Sequence, residues 1–161
     1  MMKSLRKILN MILNILGGGS FLVMVALTCW QVFTRYVLDN PSTWSEELLG
    51  YIFAWMSLFG ACLVTGERGH MNIPLLVDMA PSGAKKVLLC LGEIIAFAFS
   101  AVILVYGGVQ ITSLAMGQMT SSLGVAMGVF YVVMPVCGVV NMIYTIMNIA
   151  EILSGKEQEA A

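Results

Sequence analysis

Charge is what this sequence lacks most. Of its 161 residues, 11% are charged, against about 25% in an ordinary soluble domain. The deficit is uneven: no charged residue falls between Ile8 and Thr34, between Leu48 and Gly66, or from Ile94 to Ala150. Histidine occurs once, as His70, so this chain alone cannot supply both axial ligands of a bis-histidine haem. Cys29, Cys62, Cys90 and Cys137 stand far apart with no C-x-x-C among them. In apolar surroundings such thiols pack as small apolar residues. No G-x-x-x-x-G-K-[ST] loop is present, which excludes P-loop hydrolysis of ATP by this polypeptide. Nor is there an Arg-rich helix for voltage sensing, or a basic footprint for nucleic acid. No metal, no cofactor and no enzymatic activity is expected.

What is present is apolar: 59% of the residues, with a mean hydropathy of +0.90. The uncharged run from Ile94 to Ala150 would be about 85 Å long as one helix. A bilayer core is about 30 Å thick, so this run must cross, turn and cross back. Together with the two isolated apolar runs it makes four spans. The sequence predicts an all-α integral membrane protein, one domain of four transmembrane helices near Met11–Thr34, Glu46–Gly66, Lys86–Ile111 and Val125–Ile149. The connections are too short to hold an aqueous domain. The basic N-terminus imitates a secretory signal, but its apolar stretch outruns the usual length of about 7 to 15 residues and no Ala-x-Ala site follows. Thr28 also spoils a lipoprotein processing site at Cys29. The segment reads as a retained helix.

Short connections let positive charge set the orientation. With both termini in the cytoplasm, every lysine and arginine except Arg35 lies inside, and the first and third connections face outward. Trp30, Tyr36, Trp44 and Tyr51 flank the first connection, where an interfacial aromatic belt is expected. Thr43-Trp44-Ser45-Glu46 fits a capping box opening the second helix, after Pro41 ends the preceding segment. In the cytoplasmic connection Ile73, Leu76, Val77 and Ala80 recur at helical spacing, with Pro74 in the first turn and Pro81 at the close. This pattern predicts a short interfacial helix over 73–80.

The membrane interior offers little chemistry. Its one embedded carboxylate is Glu93, roughly two turns inward from Lys86. Three readings stand: a proton or ion site, a carboxylate neutralised by a partner's cation, or a group near the interface reached by water. Contact surfaces are better represented. Gly124 and Gly128 form a G-x-x-x-G, and Gly50 with Ala54 a small pair on the second helix; such residues let helices approach closely in lipid. Trp44, Leu48, Tyr51 and Trp55 line one helical face, which reads as a packing or lipid-facing stripe.

The stretch Gln31-Val32-Phe33-Thr34-Arg35-Tyr36-Val37, then Thr43-Trp44-Ser45-Glu46-Glu47, then Gly66-Glu67-Arg68-Gly69-His70-Met71-Asn72-Ile73, resembles the small permease subunit of tripartite ATP-independent periplasmic (TRAP) transporters. The likeness covers essentially the whole chain. It departs at Asn72-Ile73-Pro74, where relatives often begin the next segment with more polar residues. The resemblance implies two protein partners besides membrane lipids. One is a large permease subunit carrying the substrate and Na⁺ sites. The other is a soluble periplasmic binding protein that delivers an organic acid, such as a C4-dicarboxylate or sialic acid, the latter branch being favoured. This subunit would then be a static scaffold in the bacterial inner membrane. Arg35, Asp39, Trp44, Glu46 and Glu47 are the expected docking residues on the periplasmic side. Gly50, Ala54, Glu93, Gly124 and Gly128 are the expected interface with the large subunit, and Arg68 and His70 mark the cytoplasmic connection. The competing readings are a membrane anchor for a redox or other enzyme complex, and a stand-alone small transporter.

Overall fold

A computed structural model describes residues 2–67 and 82–154. The expected interfacial helix over 73–80, with Arg68 and His70, lies outside the described residues. Four helices are long and apolar enough to cross a bilayer. Helix α1 is Met2–Tyr36 and α2 is Thr43–Gly66. Helix α3 joins Ser82–Phe99, a π-helical stretch Ser100–Gly107, and Gly108–Ala115. Helix α4 takes one turn at Gly128–Tyr131 and runs on as Val133–Leu153.

α1 starts well before the expected Met11 because its first turns have something to pack on. Leu9 lies against the core cluster of Leu13, Phe59, Cys62, Cys137 and Tyr144, and Arg6 pairs with Glu151. The capping box expected at Thr43 does not form. Ser42 is the N-cap, with extended backbone, so Thr43 is already helical and its hydroxyl comes one position too late. The Ser45 hydroxyl donates back to the Ser42 carbonyl instead, at 2.9 Å. α4 begins at Gly128 and not Val125, because a left-handed turn at Gly124 (φ +66°) diverts the chain first.

Neighbouring helices pack as α1 on α2, α2 on α4, and α4 on α3. No comparable α1–α3 or α2–α3 contact exists among the described residues. The result is an open row, not a closed bundle. α1 is its least buried member: 6% of its most apolar stretch is buried, against 22% in each of the others. From Asn10 to Thr34 its only residues that are not exposed are Asn10, Leu13, Gly17, Ser20, Met24, Leu27, Gln31 and Thr34. Their alternating three- and four-residue spacing is the narrow seam of a two-helix coil, and it faces α2.

Lipid tails are as apolar as leucine, so close approach and hydrogen bonds must hold such helices together. The α3–α4 contact shows the first device. A Cβ on Gly138 would lie 2.8 Å from Leu104 Cβ, and one on Gly128 would lie 2.7 Å from the Thr112 carbonyl oxygen. The α3 positions buried on α4 include Ser100, Leu104 and Gly108, four residues apart. In an α-helix each such step turns the face by about 40°. The π-helical stretch Ser100–Gly107 lies along this contact and shifts the register of the face that α3 turns to α4.

Candidate functional site

Polar side chains gather at the two ends of the row and do different things there. At the end carrying the first residues of α1 and the last of α4, called here the tail end, the centre is Asn148. It is completely buried on α4. Its Oδ1 accepts from Arg6 Nη2 at 2.7 Å. Its Nδ2 donates to the Thr65 carbonyl at 3.1 Å and to Glu93 Oε1 at 2.9 Å. A guanidinium can only donate, while a carbonyl and a carboxylate only accept, so the amide has one orientation that satisfies all three. Arg6 also pairs with Glu151 at 3.2 Å. One helical turn earlier on α4, the Tyr144 hydroxyl donates to Asn10 Oδ1 at 2.6 Å. Tyr144 reaches it across Gly66, where a Cβ would meet the ring at 2.9 Å. All four helices thus meet in one polar hub.

The hub bears on the readings of Glu93. The residue is 2% exposed and accepts from Asn148, which in turn accepts from Arg6. Glu93 therefore faces α4 of its own chain, away from the water-reached position that was one of its readings. The sequence reading missed Arg6, Asn10, Tyr144 and Asn148 as members of a site. The signal was there in Asn148, since an amide side chain inside an apolar span needs polar partners.

At the opposite end, called here the hairpin end, the first connection is short and tightly turned. Asp39 adopts a left-handed backbone (φ 46°), and the Asn40 amide returns to the Thr34 carbonyl at 3.1 Å. Trp30, Thr34, Pro41 and Trp44 line a shallow cleft there. The connection between α3 and α4 folds back on itself as a small hairpin. Met127 N donates to the Gln118 carbonyl and Thr120 N to the Val125 carbonyl, each at 2.9 Å, and Thr120 Oγ1 accepts from Val125 N. Glu47 of α2 holds the hairpin tip: Oε1 accepts from Ser121 N at 3.1 Å and Oε2 from Ser122 N at 2.8 Å. Just inside, the Phe130 ring stacks on Tyr51 at 4.1 Å and the Trp55 indole donates to the Phe130 carbonyl at 2.8 Å.

Of the expected docking residues, Arg35, Asp39, Trp44 and Glu46 are exposed at this end, and Glu47 alone is half-buried beneath the hairpin. Of the stripe Trp44, Leu48, Tyr51 and Trp55, the last two pack on α4. The small residues divide. Gly50 and Ala54 are exposed, with open space beside Gly50. Gly128 is buried against Thr112 and Met116 of α3. Gly124 lies outside the helix, so the G-x-x-x-G does not form a helical face. Among the described residues no group of histidine, cysteine or carboxylate side chains could hold a metal ion.

Residues 24–155 match the family described as tripartite ATP-independent periplasmic transporters, DctQ component. The sialic acid TRAP transporter small permease protein SiaQ of Vibrio cholerae serotype O1 is 35% identical, over 66% of this chain and 61% of that protein. The C4-dicarboxylate TRAP transporter small permease protein DctQ of the same organism is 29% identical, over 51% of this chain and 35% of that one. The sialic acid TRAP transporter permease protein SiaT of Haemophilus influenzae is 28% identical over 50% of this chain, but that match occupies only 13% of its own length. The enzyme-anchor alternative finds no support among these relatives. With four apolar helices and a family match running from α1 to the end of α4, the chain belongs to the small permease (DctQ) component of the TRAP transporters, a multi-pass protein of the inner membrane.

Proposed function

We propose that the chain is a scaffold: it holds a large permease subunit in the membrane and offers the hairpin end to a periplasmic binding protein during Na⁺-driven uptake of an organic acid. The observation that carries this reading is the open row. A row leaves broad apolar faces in the membrane plane, and its buried polar groups are occupied with one another at the tail end. Chemistry for moving a solute belongs elsewhere. In SiaT a stretch similar to this chain is a small part of a much longer permease polypeptide, which supports a standing partnership here. The likeness to SiaQ favours sialic acid over a C4-dicarboxylate.

The exposed pair Gly50 and Ala54 on α2 is the proposed contact with the large subunit, and Arg35, Asp39, Trp44 and Glu46 the docking surface for the soluble partner. Both termini lie in the cytoplasm in this reading, because the tail end carries Lys3, Arg6, Lys7 and Lys86. Co-purification with the large permease tests the first half. Uptake into proteoliposomes, with and without the binding protein, tests the second. A chain that isolates alone, or that takes up solute without a partner, would overturn the proposal.

A further inference from the structure

Glu47 sits in a row of acids that reads as an exposed docking surface, yet it is the one member that is half-buried and engaged. Both of its carboxylate oxygens accept backbone amides from the tip of the hairpin, Ser121 and Ser122. The hairpin needs that help. Its own ladder is two backbone bonds and the Thr120 hydroxyl, and a two-stranded unit this short is marginal by itself in water. It contains no charged residue, and its tip presents Ser121 and Ser122 with the side chain of Met119, which is 69% exposed. A thioether of that kind adapts to the surface it meets.

We infer that Glu47 is a positioning residue for docking of the soluble binding protein, holding the uncharged hairpin over the start of α2 as a preformed contact element. This rests on the docking role proposed above. Two parts of the same end then act on different steps. The exposed charges Arg35, Asp39 and Glu46 steer the approach and are screened by salt. The held hairpin lowers the ordering cost of the bound state, so it sets how long the partner stays. Glu47 works through the hairpin and not by presenting its charge.

A glutamine at position 47 can accept from one tip amide, but its NH₂ would confront the other. The test uses the complex with the large permease in proteoliposomes, titrated with binding protein at two salt concentrations. Glu47→Gln is expected to raise the half-saturating binding-protein concentration about five-fold, with a much smaller effect on the maximal rate and the same salt dependence. Gly124→Val, which strains the hairpin's left-handed turn while leaving the carboxylate in place, should give the same pattern. Glu46→Gln should instead flatten the salt dependence. The inference is overturned if Glu47→Gln flattens the salt dependence as Glu46→Gln does, if half-saturation does not move, or if the variant loses the large subunit. Wild-type uptake that ignores the binding protein altogether would instead overturn the docking role itself.

Discussion

The two ends of the row solve the same problem with different material. At the tail end, side chains from two helices and a carbonyl from a third converge on Asn148 of the fourth, and each partner restricts the others. At the hairpin end one carboxylate grips two backbone amides, and one ring lies between Tyr51 and Trp55. A buried network fails as a unit, because removing one member strands the rest in a low dielectric. A carboxylate on exposed amides can be lost while water takes its place. The tail end is therefore built to specify the fold, and the hairpin end to hold a surface in shape at modest cost.

The largest expected effect tests that contrast directly. Asn148→Leu leaves the Arg6 guanidinium and the Glu93 carboxylate without the amide between them, and should destabilise the protein by about 3 kcal/mol. Thermal unfolding in detergent measures it; a shift no greater than that of Glu47→Gln would erase the distinction between the ends. Next is Gly128→Leu, expected to cost about 2 kcal/mol, because the new side chain collides with the Thr112 carbonyl and the backbone of Met116. Its damage should show in the isolated chain, before any partner is added.

Tyr144→Phe keeps the ring and removes one hydrogen bond to Asn10, so a loss of about 0.6 kcal/mol is expected, the size typical between membrane helices. Trp55→Phe removes the indole bond at the hairpin end and also shrinks the ring packed on Phe130, so its loss is an upper bound on what that bond contributes. The smallest effect on stability belongs to Gly50→Leu, which meets open space within the chain. Its consequence is expected in co-purification with the large subunit, which should weaken. Unchanged retention of the partner would remove α2 from the interface.

Much of the fold was legible from where charge is missing. Apolar runs of bilayer length define four spans whatever the side chains do in detail, and α2 in particular ends at Gly66 as expected. The helix starts were less legible, since they depend on packing partners: Arg6 and Leu9 extend α1, and the hairpin delays α4. The π stretch Ser100–Gly107 left no mark in periodicity, because its residues are apolar or small all round. Glu47 was legible as a charged residue at the start of α2 but not in its contacts. Its partners are backbone amides on a distant connection, and amides have no sequence signature. Asn148 shows the converse, a polar residue whose need for partners was visible although their identity was not.

The open row has one more consequence, for permeation. A closed bundle has a lumen, and a lumen can be a pathway; the row formed by α1, α2, α4 and α3 is not closed by an α1–α3 contact comparable to its other packings among the described residues. In the scaffold role proposed above, a hydrophilic solute crossing the bilayer passes beside this chain and not through it. In that role the wall on the far side of the route comes from the large permease subunit. A substitution in α1–α4 can then change how fast solute moves only by shifting that second wall or the partner that feeds it, so transport defects from this subunit should follow assembly and docking, and not the chemistry of the solute.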